Sequence, residues 1–134
     1  MWYHYSLTVP AGTAEKTPVE KELKLTHGVI KYIGIGFPAG CKQLVKARLY
    51  RFGSQLFPLN PDEPASWDGG VEGGQYHYYL DDQPYALKAV AYAPLSSQAH
   101  TLTIFVNVLP QEAADPFTGT ASILDKIKTL FGFS

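Results

Sequence analysis

Apolar and polar residues alternate two apart along most of this chain, and that period sets the first expectation. Tyr3, Tyr5, Leu7 and Val9 are separated by His4, Ser6 and Thr8, the pattern of a strand with one buried and one wet face. Val19, Leu23 and Leu25 repeat it against Glu20, Glu22 and Lys24. Lys21 falls on the apolar side of that second segment, which suits an edge strand where a charge discourages further pairing. The segment from Val29 to Phe37 is apolar on both sides, with Val29, Ile33, Ile35 and Phe37 on one face and Ile30 and Tyr32 on the other, as in a central strand. Further strands are predicted through Val45–Tyr50, Gln55–Phe57, Tyr76–Tyr79, Tyr85–Ala91 and Leu102–Val108. Turn residues such as Pro10-Ala11-Gly12 and Pro38-Ala39-Gly40 separate them. About eight short strands without βαβ alternation predict an all-β antiparallel sandwich, jelly-roll-like, with an immunoglobulin-like sandwich as the competitor. The stretch from Leu59 to Gln75, rich in Pro and Gly, is expected to be a long loop that is either functional or mobile.

The pattern changes after Pro110. Residues 111–121 read as a polar linker, and residues 122–132 as an amphipathic helix following a sandwich domain of residues 1–110. Ser122 and Asp125 resemble a capping box. Ile123, Leu124, Ile127, Leu130 and Phe131 form one helical stripe, and Gly132 is placed to end the helix. A helix this short needs a surface to bury its stripe. That surface is the sandwich itself, a neighbouring subunit or a groove on another protein; docking on a neighbouring subunit is the expectation, with the five stripe residues as the candidate partner-binding set.

Composition narrows the function classes. The 134 residues carry 11 basic and 12 acidic side chains, a net charge of −1 without the clustered cations that a nucleic-acid footprint requires. The tail supplies only Lys126 and Lys128 for an anionic surface, which argues against a membrane role. One cysteine, Cys41, leaves no intramolecular disulfide to form. Met1 to Tyr5 lacks the basic start and the apolar run of a signal peptide, so a mature chain is expected.

Catalytic and metal chemistry find little support. Gly34, Gly36, Gly40 and Lys42 miss the spacing of a phosphate loop, because Cys41 separates Gly40 from Lys42. His4, His27, His77 and His100 lack zinc-ligand spacing, although His27 and His100 would meet if their strand ends were adjacent. Asp62, Glu63, Asp68, Asp81 and Asp82 lack the order of a calcium loop. Ser96, Ser97 and His100 have no nucleophile elbow, and Cys41 follows a turn glycine. Neither enzyme activity, cofactor nor metal is expected. The aromatics are more informative: Trp67, Tyr76 and Tyr78 cluster about the long loop, where flat rings stack on sugars or anchor an interface, or else pack inward.

The turns themselves carry a resemblance. Leu7-Thr8-Val9-Pro10-Ala11, then Leu25-Thr26-His27-Gly28-Val29-Ile30, Phe37-Pro38-Ala39-Gly40-Cys41, Leu44-Val45 and Gln55-Leu56-Phe57-Pro58-Leu59-Asn60-Pro61 resemble a pattern in small phage-encoded, virion-associated β-sandwich proteins. Pro84-Tyr85-Ala86-Leu87 and His100-Thr101-Leu102-Thr103 are similar to its later part. The resemblance covers about residues 5–110 and implies a virion location, a structural role in a bacteriophage capsid, decoration or fibre, and no catalytic residue. The first functional expectation is thus a non-enzymatic virion structural protein, probed by protein–protein contacts with other virion subunits or with itself as a homo-oligomer. The second is a carbohydrate-binding sandwich using Trp67, Tyr76 and Tyr78.

Overall fold

The computed structural model describes residues 1–60 and 62–110. Among the described residues there are eight strands: β1 (Trp2–Val9), β2 (Val19–Lys24), β3 (Gly28–Phe37), β4 (Lys46–Arg51), β5 (Ser54–Phe57), β6 (Gly70–Leu80), β7 (Ala86–Tyr92) and β8 (His100–Leu109). They form two four-stranded sheets, ordered β1-β8-β3-β6 and β2-β7-β4-β5, with every pairing antiparallel. The first strand pairs with the last, the second with the seventh, the third with the sixth and the fourth with the fifth. The chain is therefore one long hairpin, closed by β4–β5 and rolled so that successive pairs fall in alternate sheets.

The inward residues of both sheets build one core. Leu23, Leu49 and Leu87 from the second sheet meet Ile33, Ile35, Leu102 and Ile104 from the first, all nearly or wholly excluded from solvent. Such burial is the main drive for closing the sandwich, at about 25 cal/mol per Å² of apolar surface. The edges fall on β1, β6, β2 and β5. Lys21 lies at the β2 edge, and its ammonium donates to the Ser6 carbonyl of β1 at 2.7 Å. The inward charge thereby joins the two sheets where they would otherwise splay.

Two expectations from the sequence are corrected. Val29 does not share the core face with Ile33: the register of β3 shifts between Ile30 and Tyr32. Lys31 is the extra residue, and Ile30 joins Ile33, Ile35 and Phe37 in the core. The loop predicted to Gln75 ends sooner, because β6 begins at Gly70 and pairs Gly70, Gly73 and Gly74 with Phe37, Gly34 and Ile33. These glycines are strand positions crowded by neighbours. A Cβ on Gly73 would come within 2.5 Å of the Tyr32 hydroxyl and 2.8 Å of the Ile33 carbonyl. The predicted linker and helix, with Ile123, Leu124, Ile127, Leu130 and Phe131, lie outside the described residues.

Candidate functional site

The two outer faces of the sandwich differ in chemistry. On the first sheet, alternation and register bring outward Trp2, His4, Ser6 and Thr8 of β1, Thr101, Thr103, Phe105 and Asn107 of β8, Tyr32, Gly34 and Gly36 of β3, and Val71, Gly73 and Gln75 of β6. None of these strand positions carries a formal charge. Trp2 and Val71 are 54% and 53% exposed, although both are large and apolar. Trp2 meets Tyr32 edge-on with centroids 5.5 Å apart, and His4 meets Phe105 in the same way at 5.0 Å. Tyr32 lies over the glycines, so the centre of the face is flat. Thr8 and Thr101 bond across the β1–β8 ladder at 3.0 Å. Lys31, at the register shift, stands at one margin with its ammonium 2.9 Å from His77 Nδ1.

The second sheet turns a charged trough outward. Its cavity of about 660 Å³ is bounded by Glu20 and Glu22 on β2, by Lys88, Val90 and Tyr92 on β7, and by Arg48 and Tyr50 on β4. Glu15 closes one end, and Phe52, 62% exposed, stands at the other. Glu20 and Lys88 form an ion pair at 3.1 Å, half exposed on both sides and worth little in stability. The Arg48 guanidinium donates to the Asp62 carbonyl at 2.8 Å and to the Tyr50 hydroxyl at 3.5 Å. The Tyr50 contact, foremost, holds the Arg48 pKa above its ordinary value. Burial raises the Tyr92 pKa, and its hydroxyl bonds to Glu15.

The loop aromatics are placed differently from one another. Tyr76 and Tyr78 share a face, as their spacing required, and that face packs against the core. The Tyr76 hydroxyl donates to the Leu56 carbonyl at 2.9 Å, and burial pushes its pKa up to about 12. Tyr78 stands 5.8 Å from the Arg51 guanidinium. Trp67 is 48% exposed and lies across Gly70, whose Cβ would fall 2.6 Å from the indole nitrogen. Nothing in the structure brings these three rings onto one open surface.

The loop itself is tied down by hydrogen bonds. Ala65 bridges Ala47 through two backbone hydrogen bonds of 3.0 and 2.8 Å. The Gln55 amide nitrogen gathers the carbonyls of Pro58, Asn60 and Glu63 at 2.9, 3.1 and 2.9 Å. The Asp68 carboxylate accepts from the Gly40 amide at 2.8 Å, and Glu72 accepts from the Ser66 amide at 2.9 Å.

The groups considered for chemistry are dispersed. β8 runs antiparallel to β3, which pairs Val29 with Leu109 and sends His100 to the opposite end from His27. Ser96 is buried, with its hydroxyl given to the Gln98 carbonyl at 2.8 Å. The Cys41 thiol is buried, and desolvation followed by the Asp68 carboxylate raises its pKa. Among the described residues no three His, Cys, Asp or Glu side chains converge on a metal position.

The sequence reasoning missed both faces. It named neither Trp2 with Tyr32 nor Arg48 with Glu20. The available signal was the contrast between strands whose outward residues are Thr, Ser, Gly and aromatic and strands whose outward residues are Glu, Lys and Arg.

No protein-family model matches the chain, and no curated protein matches it. Among solved structures, the chain is similar to one titled "Crystal Structure of FLHE", at 14% identity over 81% of this chain and 96% of that one, with a TM-score of 0.38. That degree of likeness assigns neither a family nor an activity.

Proposed function

We propose that this chain is a non-enzymatic structural module that assembles with copies of itself through the uncharged face of the β1-β8-β3-β6 sheet, as a subunit of a virus particle. The observation that carries the reading is the composition of that face: exposed Trp2 and Val71, with Tyr32, Phe105 and threonines, and no carboxylate or guanidinium on its strand positions. Interface centres are enriched in Trp, Tyr and Phe and depleted in Lys, Glu and Asp. With the Lys31 ammonium at its margin, the rest of the face meets its own copy without like-charge repulsion, as a two-fold contact requires.

The fold completes the reading. A long hairpin rolled into sheets of order β1-β8-β3-β6 and β2-β7-β4-β5 supports a jelly-roll reading, an architecture common in capsid proteins. The resemblance carried by the turn residues quoted above, from Leu7-Thr8-Val9-Pro10-Ala11 onward, is what supports the virion part of the proposal. In this account residues 122–132, predicted from the sequence as a helix, dock the stripe from Ile123 to Phe131 on the neighbouring subunit.

Quenching of Trp2 fluorescence in a Trp67→Phe variant tests the contact. Accessibility of Trp2 to a neutral quencher should fall as protein concentration rises. Constant accessibility in a sample that sediments as an oligomer would move the contact elsewhere and sink the reading.

A further inference from the structure

The trough on the β2-β7-β4-β5 sheet plays no part in the assembly proposed above, since it opens on the opposite side of the sandwich. We infer that it binds a neutral oligosaccharide.

Its geometry is set by register. Val90 of β7 is paired with Glu20 on one side and Arg48 on the other, and Lys88 is paired with Glu22 and Tyr50. An acceptor wall and a donor wall therefore face each other across a floor of Val90 and Lys88. The walls are separated by two strand spacings, roughly 9–10 Å between backbones. The cavity of about 660 Å³ lies within the range of small-molecule sites.

The charge pattern selects the ligand class. Glu15, Glu20 and Glu22 oppose Arg48 and Lys88, and Glu20 already holds Lys88 at 3.1 Å. An anion meets more carboxylates than cations, while a cation finds Glu20 already paired with Lys88, and Arg48 on the wall opposite Glu22. A polyol needs no net charge to bind such balanced donors and acceptors. Its hydroxyls donate to Glu20 and Glu22 and accept from Arg48, and its C–H faces rest on Val90, Tyr50 and Phe52.

Backbone amide NMR shifts test the site, with neutral hexasaccharides of glucose, mannose, galactose and N-acetylglucosamine as probes and hexagalacturonate as the charged comparator. At least one neutral probe should shift Glu20, Glu22, Arg48, Tyr50 and Val90 with millimolar or tighter affinity. Val90→Trp, which fills the floor, should weaken that binding about tenfold or more. Should Val90→Trp fail to fold, Glu22→Ala provides the second variant, with loss of affinity expected. No response to any neutral probe would overturn the inference. So would tighter binding of hexagalacturonate, or shifts centred on Trp67 and Gly70. None of these results bears on the uncharged face, so the assembly reading stands or falls separately.

Discussion

Tyr32 occupies the space that a side chain on Gly34 would fill: a Cβ there would lie 2.8 Å from both the ring Cε1 and the phenolic oxygen. The same ring covers Gly73 on the next strand. The two glycines nonetheless differ. At Gly34 the obstacles are atoms of one side chain, which rotates away, whereas at Gly73 they include the Ile33 carbonyl at 2.8 Å and the Gly34 Cα at 2.9 Å. Gly34→Ala should cost about 1 kcal/mol, the price of an off-rotamer tyrosine. Gly73→Ala should cost about 3 kcal/mol, because backbone must move. Denaturant unfolding of the two variants measures the difference, and equal costs would show that the backbone about Gly73 yields as readily as the Tyr32 side chain.

Arg51 is 5% exposed at the inward end of β4, and its guanidinium donates to the carbonyls of Pro84 at 3.0 Å and Asp82 at 2.9 Å. It thereby fixes the β6–β7 connection to the β4–β5 hairpin, with Phe52 4.2 Å from the guanidinium carbon. Arg51→Ala leaves two carbonyls without their donor and should destabilise the fold by about 1.5–3 kcal/mol. Arg51→Lys should recover part of the loss, since an ammonium cannot span both carbonyls as a planar fork does. Full recovery by lysine would show that charge alone matters there.

Gln55 holds the turn after β5 by drawing three carbonyls to one amide group. Gln55→Ala should speed proteolytic cleavage between Leu59 and Ser66 with little change in the unfolding midpoint, because the core beneath is untouched. Cleavage at the wild-type rate would place the restraint in the Ala65–Ala47 bridge instead.

Alkaline pH should weaken the fold through two tyrosines. The Tyr5 hydroxyl donates to the Lys24 carbonyl, and burial, with Tyr3 adding a smaller contribution, pushes its pKa up to about 12. Tyr76 reaches about 12 through burial alone. An ionised phenol cannot donate, so the folded state favours the neutral form. The stabilisation is complete below the ordinary value of 10.0 and is lost as pH rises from there through about 12. Unfolding free energy should be level just below pH 10.0 with respect to these groups and fall beyond it. Tyr5→Phe and Tyr76→Phe together should flatten that decline. An unchanged slope in the double variant would contradict the assignment.

The strands were legible because alternation was strong wherever one face was wet, as in Tyr3–Val9 and Leu102–Val108. Period alone could not find the shift at Lys31, where an extra residue carries Ile30 rather than Val29 into the core. Nor could composition distinguish the turn glycine Gly69, with φ of +71°, from Gly73, which the Tyr32 ring and neighbouring backbone require. The sites were less legible than the fold. Glu20 and Arg48 are 28 positions apart and face each other only because β7 inserts between their strands, a relation that depends on pairing across most of the chain. Tyr76 and Tyr78 looked available because their spacing gives a shared face, but spacing does not say which way that face turns.

Sedimentation of the wild-type chain beside Val71→Lys tests assembly through the uncharged face most directly. Val71 is 53% exposed, so a lysine there should leave the fold intact while placing a charge on the contact. The account predicts a concentration-dependent oligomer for the wild type and a monomer, or affinity weaker by about tenfold or more, for Val71→Lys. A wild type that remains monomeric at every concentration, or a Val71→Lys variant that assembles equally well, would contradict it.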